Sequence, residues 1–257
     1  MVREVRTAYR RKGEGRRLLY LHGAGLTCRW LELHEELASD HDLIAPEHPG
    51  FGQTPRPRWY RSIHDLVLHY ADFLDELGLS GRLDLVGHSF GGLLAGSFAA
   101  TFPDRIRSLT LIAPGPLPTI NPPFEVPEEV PADFDFDEVL FNGNQADYPD
   151  FRHADDNGDL LGDDDGDRYA APPVDALGLE LPTTLYRQLA RVKASAQILV
   201  PDEDRLFGPE ISQQWAAALG NPDVIRIEGA ERPTGHLLVV QEPHRIAARV
   251  RELADKV

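Results

Sequence analysis

Short apolar runs alternate with stretches of helical periodicity along most of the chain. The apolar runs are bounded by Gly or Pro and are too short for helices, so they are predicted to be buried strands. They occupy residues 17–21, 42–45, 82–86, 109–113, 197–200 and 224–227. Apolar residues at helical spacing lie between and after them, at 30–38, 63–77, 93–102, 211–219 and 243–254. This alternation predicts an α/β fold with a mostly parallel, doubly wound sheet, and residues 7–15 are predicted to add an antiparallel edge strand.

The middle of the chain, residues 117–182, breaks this pattern. It is rich in Pro, Gly and Asp, and aromatic residues are interleaved with the acids. Sixteen acidic residues and a single basic one, Arg152, lie between Glu125 and Asp167, so this stretch carries −15 of the chain's net charge of −16. We therefore predict a core formed by residues 1–116 and 183–257, with residues 117–182 inserted as an acidic cap or lid.

Composition and charge narrow the classes of partner. The chain has 257 residues, 42% hydrophobic and 26% charged, which is ordinary for a globular protein. No basic stripe is available to meet phosphates, so we expect no nucleic-acid partner. The N-terminus is charged and no run of about 18 apolar residues occurs, so we expect a cytoplasmic protein without a membrane partner. The single cysteine, Cys28, fits a reducing compartment.

The strongest chemical signal is Gly87-His-Ser-Phe-Gly91, a G-x-S-x-G sequence directly after a predicted strand and before a predicted helix. A tight turn from strand to helix lifts the serine oxygen clear of the sheet, and small residues are needed beside it because the backbone is crowded. Ser89 is therefore the predicted nucleophile. A glycine-rich helix N-terminus with no catalytic role could have the same five residues, but their position directly after a strand argues against that alternative.

A serine hydroxyl is a weak nucleophile and needs a base within hydrogen-bond reach. With an elbow of this kind, an acid and then a histidine follow the serine along the chain. His236 lies after the last predicted strand and before the final helix, so it is the predicted base. The acid is expected after the strand that ends at Val200, where Asp202, Glu203 and Asp204 stand side by side. Position along the chain does not decide which of these three residues is the acid that orients His236.

Acyl transfer also requires hydrogen-bond donors for the tetrahedral oxyanion. The backbone amide of Phe90, at the start of the helix behind the nucleophile, is the first predicted donor of this oxyanion hole. The second is expected in the loop after the strand that ends at Leu21. Its sequence, His22-Gly-Ala-Gly25, allows a tight fold that aims an amide at the substrate, and we assign the donor to Ala24.

These segments together make the chain resemble the α/β-hydrolase fold family, in its cap-bearing, esterase-like branch of serine hydrolases. The resemblance covers the whole length except the acidic middle. The matching segments are Leu21-His-Gly-Ala-Gly25, Ala45-Pro-Glu-His-Pro-Gly-Phe-Gly52, Gly87-His-Ser-Phe-Gly-Gly92, Phe102-Pro-Asp-Arg-Ile106, Asp204-Arg-Leu-Phe207 and Gly235-His-Leu237 followed by Glu242-Pro243. The family's acid normally follows a Gly-acid-x-Asp stretch, which implies that Asp204 is the acid of the catalytic triad. This chain departs from the pattern with Pro201 in place of the usual Gly.

The resemblance implies an enzyme that cleaves a small carboxylic ester, lactone or thioester through an acyl-enzyme on Ser89, with a small-molecule partner and no cofactor or metal. The charge of the acidic segment leads us to expect that this substrate is neutral or cationic. Haloalkane dehalogenases and epoxide hydrolases share the fold but use an Asp nucleophile, so Ser89 argues against both. Carbon–carbon bond hydrolases of ring-cleavage products keep Ser, His and Asp and are the main alternative. They usually carry a Trp after the catalytic His, where this chain has Leu237, and the acidic segment would repel their anionic substrates.

Other residues and other uses of the fold allow further interpretations. A non-hydrolytic ligand-binding or biosynthetic protein can use the same fold, although a complete Ser, Asp and His order favours turnover. The Asp clusters at 155–159 and 163–167 fail the calcium-loop pattern because Leu160 and Arg168 stand where Gly is required, so a solvated acidic loop is expected. His48 and His88 are expected to pack or to form local hydrogen bonds rather than to react.

Overall fold

The computed structural model describes residues 2, 4–27, 29–117, 135–151 and 183–257. The strands within these residues are β1 (Tyr9–Lys12), β2 (Arg16–Leu21), β3 (His41–Pro46), β4 (Leu83–His88), β5 (Ile106–Ile112), β6 (Ser195–Pro201) and β7 (Asp223–Ile227). They form a seven-stranded sheet in the order β1-β3-β2-β4-β5-β6-β7. Every pair is parallel except β1 with β3, which confirms the predicted antiparallel edge strand.

Helices cover both faces of the sheet. The α-helices among the described residues are α1 (Glu32–Ala38), α2 (Ile63–Glu76), α3 (Phe90–Thr101), α4 (Phe136–Phe141), α5 (Leu185–Gln188), α6 (Pro209–Ala218), α7 (Leu238–Gln241) and α8 (Pro243–Asp255). Helix α1 packs on α8, and α2 packs on α3. Within this set, none is long and apolar enough to cross a membrane.

Strand β2 shows why the sheet is covered on both sides. Its side chains alternate between two apolar clusters, because successive residues of a strand point to opposite faces. Leu19 and Leu21 pack with residues of α2 and α3, whereas Leu18 and Tyr20 pack with residues of α1 and α8. All four are buried, as expected for a central parallel strand. The predicted doubly wound architecture is therefore confirmed.

Three predicted helix starts differ from the structure, and one of them is that of α6, which begins at Pro209 rather than at residue 211. Helix α3 begins at Phe90, three residues before the predicted start, because Gly91 and Gly92 carry no apolar side chain to mark the periodicity. Helix α1 begins at Glu32 rather than at residue 30, and the backbone of Leu31 is still extended. None of these differences changes the order of elements or the location of the predicted turns.

The described part of the middle segment, residues 135–151, packs against the core. Leu140 and Phe141 of α4 are buried in the same apolar cluster as Leu237 and Leu238. The amide of Leu237 donates a hydrogen bond to the carbonyl of Leu140 at 3.0 Å. The predicted cap boundary at 117–182 remains a prediction, and the two Asp clusters and Cys28 lie outside the described residues.

Candidate active site

Ser89 lies at the sharp turn between β4 and α3. Its backbone adopts φ 52° and ψ −119°, a left-handed conformation that costs energy for any residue other than glycine. Two hydrogen bonds hold it there, from the amide of Ser89 to the carbonyl of Ile112 and from the amide of Gly115 to the carbonyl of Ser89, both at 2.9 Å. The turn is thus fixed to the end of the neighbouring strand β5.

Close backbone contacts explain the two glycines of this turn. A Cβ atom on Gly87 would lie 2.2 Å from the carbonyl oxygen of Gly91, and one on Gly91 would lie 2.0 Å from the carbonyl oxygen of Leu21. Both neighbours are backbone atoms, so neither can swing away as a flexible side chain would. The sequence rule that small residues must flank the nucleophile therefore has a direct steric cause here.

The three side chains predicted to form a triad lie in hydrogen-bond contact. The Nε2 atom of His236 is 2.8 Å from Oγ of Ser89, and its Nδ1 atom is 2.9 Å from Oδ2 of Asp204. A carboxylate can only accept, so Nδ1 of the neutral imidazole carries the proton and donates it to Asp204. Nε2 is then free to accept the hydroxyl proton of Ser89, which is the arrangement that activates a serine.

The environment keeps Asp204 ionised. Burial alone would raise the pKa of its carboxyl, but the charge and hydrogen bond of His236 outweigh burial and lower the pKa. The amides of Leu206 and Phe207 assist, since both donate to Oδ1, at 3.0 and 2.9 Å. The ring of Phe207 also packs edge-on against the imidazole of His236, with 5.0 Å between centroids. The carboxylate is therefore held in place from both sides.

The other two candidate acids do not contact the base. Oδ2 of Asp202 accepts hydrogen bonds from the amides of Gly229 and Thr234, each at 2.9 Å, in the loop that precedes His236. Glu203 is exposed, and its carboxylate lies 3.8 Å from the guanidinium of Arg205. Geometry thus favours Asp204, and it gives Asp202 a structural task that the sequence did not indicate.

The loop predicted to supply the second oxyanion donor lies beside the nucleophile. A Cβ on Gly23 would be 3.2 Å from Cβ of Ser89, so the backbone of this loop touches the serine. Ala24 follows as the first residue of a short 3₁₀ turn, Ala24–Leu26. Among the described residues, the amides of Ala24 and Phe90 donate to no protein acceptor, which leaves both available to a ligand. Their role as donors stays a prediction.

Two stacked histidines fasten this loop to the turn after β3. The rings of His22 and His48 lie 3.7 Å apart, with 24° between their planes. The amide of His48 donates to Nε2 of His22 at 3.2 Å, and Nε2 of His48 donates to the carbonyl of His22 at 2.7 Å. Nδ1 of His48 also bonds to the hydroxyl of Tyr70. The expectation that His48 forms hydrogen bonds rather than reacting agrees with this arrangement, although the partners are distant in sequence.

In the described part of the chain, no group of three or more His, Cys, Asp or Glu side chains could hold a metal ion.

A family model for the alpha/beta hydrolase fold matches residues 16–147, just over half of the chain. The protein belongs to the alpha/beta hydrolase fold family. The match includes the turn at Ser89 and the loop at Ala24, whereas Asp204 and His236 follow it in the chain.

Curated proteins similar to this chain include two that are named as hydrolases. The chain is 40% identical over 105 residues to the 2-hydroxy-6-oxo-2,4-heptadienoate hydrolase of Pseudomonas putida, a stretch that covers 39% of this chain and 38% of that relative. The aligned region therefore spans about two fifths of the relative's length.

Solved structures align over nearly the whole chain. A thermophilic esterase from Thermogutta terrifontis superposes with a TM-score of 0.75 at 21% identity, covering 98% of this chain and 94% of the esterase. A meta-cleavage product hydrolase from Pseudomonas fluorescens superposes with a TM-score of 0.68 at 22% identity, covering 98% and 95%. At these identities the likeness shows the fold.

Proposed function

We propose that the protein is a serine hydrolase that cleaves carboxylic esters, lactones or thioesters through an acyl-enzyme on Ser89. The observation that carries the proposal is the pair of hydrogen bonds that join Ser89 to His236 at 2.8 Å and His236 to Asp204 at 2.9 Å. A protein that only binds a ligand needs no such arrangement. Membership in a family whose named relatives include hydrolases supports the same activity.

The first half of the reaction forms the acyl-enzyme. Oγ of Ser89 attacks the carbonyl carbon while Nε2 of His236 takes the hydroxyl proton, and Asp204 stabilises the resulting imidazolium. The carbonyl oxygen becomes an oxyanion, which the amides of Phe90 and Ala24 are expected to bind. The tetrahedral intermediate then collapses, the bond to the leaving oxygen or sulfur breaks, and His236 returns its proton to the leaving group.

The second half hydrolyses the acyl-enzyme. A water molecule enters, His236 takes one of its protons, and the hydroxide attacks the acyl carbon. When this second tetrahedral intermediate collapses, the bond to Oγ of Ser89 breaks and the proton on His236 returns to the serine. The products are a carboxylic acid and, from the first half, an alcohol or thiol, so no cofactor is required.

The charge of the chain favours a neutral or cationic substrate. The net charge of −16 is concentrated between Glu125 and Asp167, in the segment that the sequence predicts to be a cap. Negative charge repels anions at distances within the Debye length, about 8–10 Å at physiological salt. The structural likeness to an esterase is compatible with this substrate class.

Carbon–carbon bond hydrolysis is the second candidate. The observation that favours it is the 40% identity to a 2-hydroxy-6-oxo-2,4-heptadienoate hydrolase, a likeness confined to 105 residues. Two features of this chain speak against it, namely Leu237 after His236 in place of the Trp usual in such enzymes and the short Ala24-Gly-Leu loop in place of a longer Gly- and Pro-rich one. Its substrates are also anionic, which the acidic segment disfavours.

The nucleophile is tested by covalent labelling. A fluorophosphonate probe should label the wild-type protein on Ser89, and Ser89→Ala should abolish labelling. Ser97→Ala is the matched control, because Ser97 lies on α3, the helix that follows Ser89, and donates its hydroxyl to the carbonyl of Leu93 rather than to a base. Labelling that persists in Ser89→Ala, or is absent from the wild type, contradicts the proposal.

Substrate class is tested with paired compounds. Short p-nitrophenyl esters should be hydrolysed, and neutral esters should be preferred over esters with a carboxylate on the acyl chain. Raising the salt concentration should narrow that preference. A higher kcat/KM for a dienoate ring-cleavage product than for any ester would favour the second candidate.

A further inference from the structure

One side chain contacts all three backbone segments around the proposed nucleophile. His88 ends β4 immediately before Ser89 and is 1% exposed. Its Nε2 atom lies 3.0 Å from the carbonyl oxygen of His236, 148 residues away in the chain. A carbonyl can only accept, so Nε2 of His88 carries a proton and donates it. The same imidazole is thus covalently next to the nucleophile and hydrogen-bonded to the backbone of the base.

The other side of the ring meets the loop predicted to bind the oxyanion. A Cβ on Gly23 would lie 2.6 Å from Nδ1 of His88 and 3.0 Å from its Cε1 atom, so the ring packs directly on the glycine backbone. Nδ1 is buried and has no hydrogen-bond partner among the described residues. The position of the ring therefore depends on one hydrogen bond and on close packing, and a ring of this size separates the two loops.

The charge state of His88 suits this task. Burial, together with the neighbouring His236, lowers the pKa of His88 to about 3. The groups that act on it electrostatically are His236, Asp204 and His22. His88 therefore stays neutral and keeps its proton on Nε2 while His236 gains and loses a proton during turnover.

We propose that His88 is a positioning residue for the hydrolysis inferred above. Its hydrogen bond to the carbonyl of His236 and its contact with Gly23 set the distance between the base and the oxyanion loop. This inference rests on the proposed function, since it assigns a role only if Ser89 and His236 react. A misplacement of about 1 Å in such a site costs on the order of 100-fold in rate.

The test compares two substitutions of His88, of which only one can donate a hydrogen bond to the carbonyl of His236. His88→Gln keeps an N–H that can reach the carbonyl of His236, whereas His88→Met fills a similar volume without a donor. We expect His88→Met to lower kcat by roughly 30- to 100-fold with KM changed less than about threefold. His88→Gln should recover most of the loss, to within about fivefold of wild type, and the rate of fluorophosphonate labelling of Ser89 should follow kcat.

A second buried histidine provides the matched control. His34 is 3% exposed, has a pKa lowered to about 3 by burial, and also has an unpartnered ring nitrogen among the described residues. It packs against Tyr20 and Trp30 rather than against the residues of the proposed triad. His34→Met and His34→Gln should lower the melting temperature as the His88 variants do, but should leave kcat within about twofold of wild type.

The outcomes separate this inference from the proposed function. If the wild type is not labelled on Ser89, the hydrolase proposal fails and the role of His88 fails with it. If the wild type is labelled and His88→Met retains wild-type kcat, the positioning role is wrong while the hydrolase proposal stands. If His88→Met and His88→Gln both fold and lose kcat to the same extent, the positioning role is also wrong, because the hydrogen bond to His236 would not explain the loss. Should His88→Met not fold, His88→Leu, which also lacks a hydrogen-bond donor, takes its place in the same comparison.

Discussion

Asp202 and Thr234 are joined by a reciprocal pair of hydrogen bonds. The amide of Thr234 donates to Oδ2 of Asp202 at 2.9 Å, and the amide of Asp202 donates to Oγ1 of Thr234 at the same distance. The hydroxyl of Thr234 in turn donates to the carbonyl of Ile227 at 2.7 Å. Asp202 therefore holds the loop between β7 and His236 in place, although it lies after β6, two residues before the proposed triad acid Asp204.

This relationship predicts opposite effects for two neighbouring acids. Asp204→Asn should lower kcat by about 10³- to 10⁴-fold, because the amide favours the wrong imidazole tautomer, and should change stability little. Asp202→Ala should lower the free energy of unfolding by about 1–3 kcal/mol, because it leaves amides of the loop unpartnered. Steady-state kinetics and urea denaturation measure both. If Asp202→Ala folds and loses more of its kcat than Asp204→Asn does, the roles assigned to the two acids are reversed.

Buried histidines predict that the protein loses stability in mild acid. Burial lowers the pKa of His22 and His69 to about 4 and of His34 and His88 to about 3. The unfolded chain takes up these protons near pH 6.5, so between about pH 6.5 and 4 it binds more protons than the folded state. The free energy of unfolding is therefore unaffected by these groups above pH 6.5 and falls as the pH is lowered.

A pH series of urea denaturation midpoints measures this loss. One imidazole with a pKa of about 4 in the folded state removes about 3 kcal/mol by pH 4. His34→Gln isolates a single group from the carboxylates that titrate in the same range, and its stability should decline less steeply than that of the wild type. If the free energy of unfolding falls equally steeply with pH in both proteins, His34 is protonated to the same extent in the folded and the unfolded state.

The contacts of Gly91 predict that even one methyl group is not tolerated there. Its Cβ would meet backbone oxygens of Leu21 at 2.0 Å and His22 at 2.5 Å, so Gly91→Ala must displace the oxyanion loop. We expect a loss of kcat of at least about 100-fold together with a lower melting temperature. Gly81→Ala is the control, because its nearest neighbour is the flexible end of Arg17 at 3.4 Å. A fully active Gly91→Ala would show that the loop can move without cost.

An ion pair on β4 and β5 predicts a stability effect away from the site. Asp84 is fully buried, and its carboxylate accepts two hydrogen bonds from Arg107, at 3.0 and 2.7 Å, and one from Ser108 at 2.7 Å. Asp84→Ala should cost about 3–5 kcal/mol, because it leaves a partly buried cation unpaired. Asp104→Ala, which breaks an exposed pair with Lys193, should cost less than about 1 kcal/mol. Similar losses in thermal unfolding for both would contradict the distinction.

Much of the fold was predictable because the central strands are apolar runs and helices such as α2 and α8 are amphipathic. Helix α4 was missed, although Asp135 caps it by accepting a hydrogen bond from the amide of Glu138 at 2.9 Å. An Asp followed by a Glu three residues later is a recognised start signal for a helix. The Pro, Gly and Asp content of residues 117–182 instead predicts an inserted acidic cap, with no helix assigned within it.

The side chains of the proposed triad were identifiable from motif and order, but their supporting contacts were not. The hydrogen bond between His88 and His236 spans 148 residues, and the stacking of His22 on His48 spans 26. No periodicity in the sequence encodes such pairs, because they depend on which loops meet at one edge of the sheet. The same holds for Asp202, whose task differs from that of Asp204 only through its orientation.

The edge position of β7 has a consequence for how the protein loses activity on heating. Among the residues that the structure describes, this strand has a neighbour on one side only, and most of its own residues are exposed, including Val224 and Arg226. Edge strands of this kind unfold locally at free energies well below that of global unfolding. Because His236 is carried by the loop that leaves this strand, turnover would cease while the circular dichroism of the remaining sheet and helices is still native.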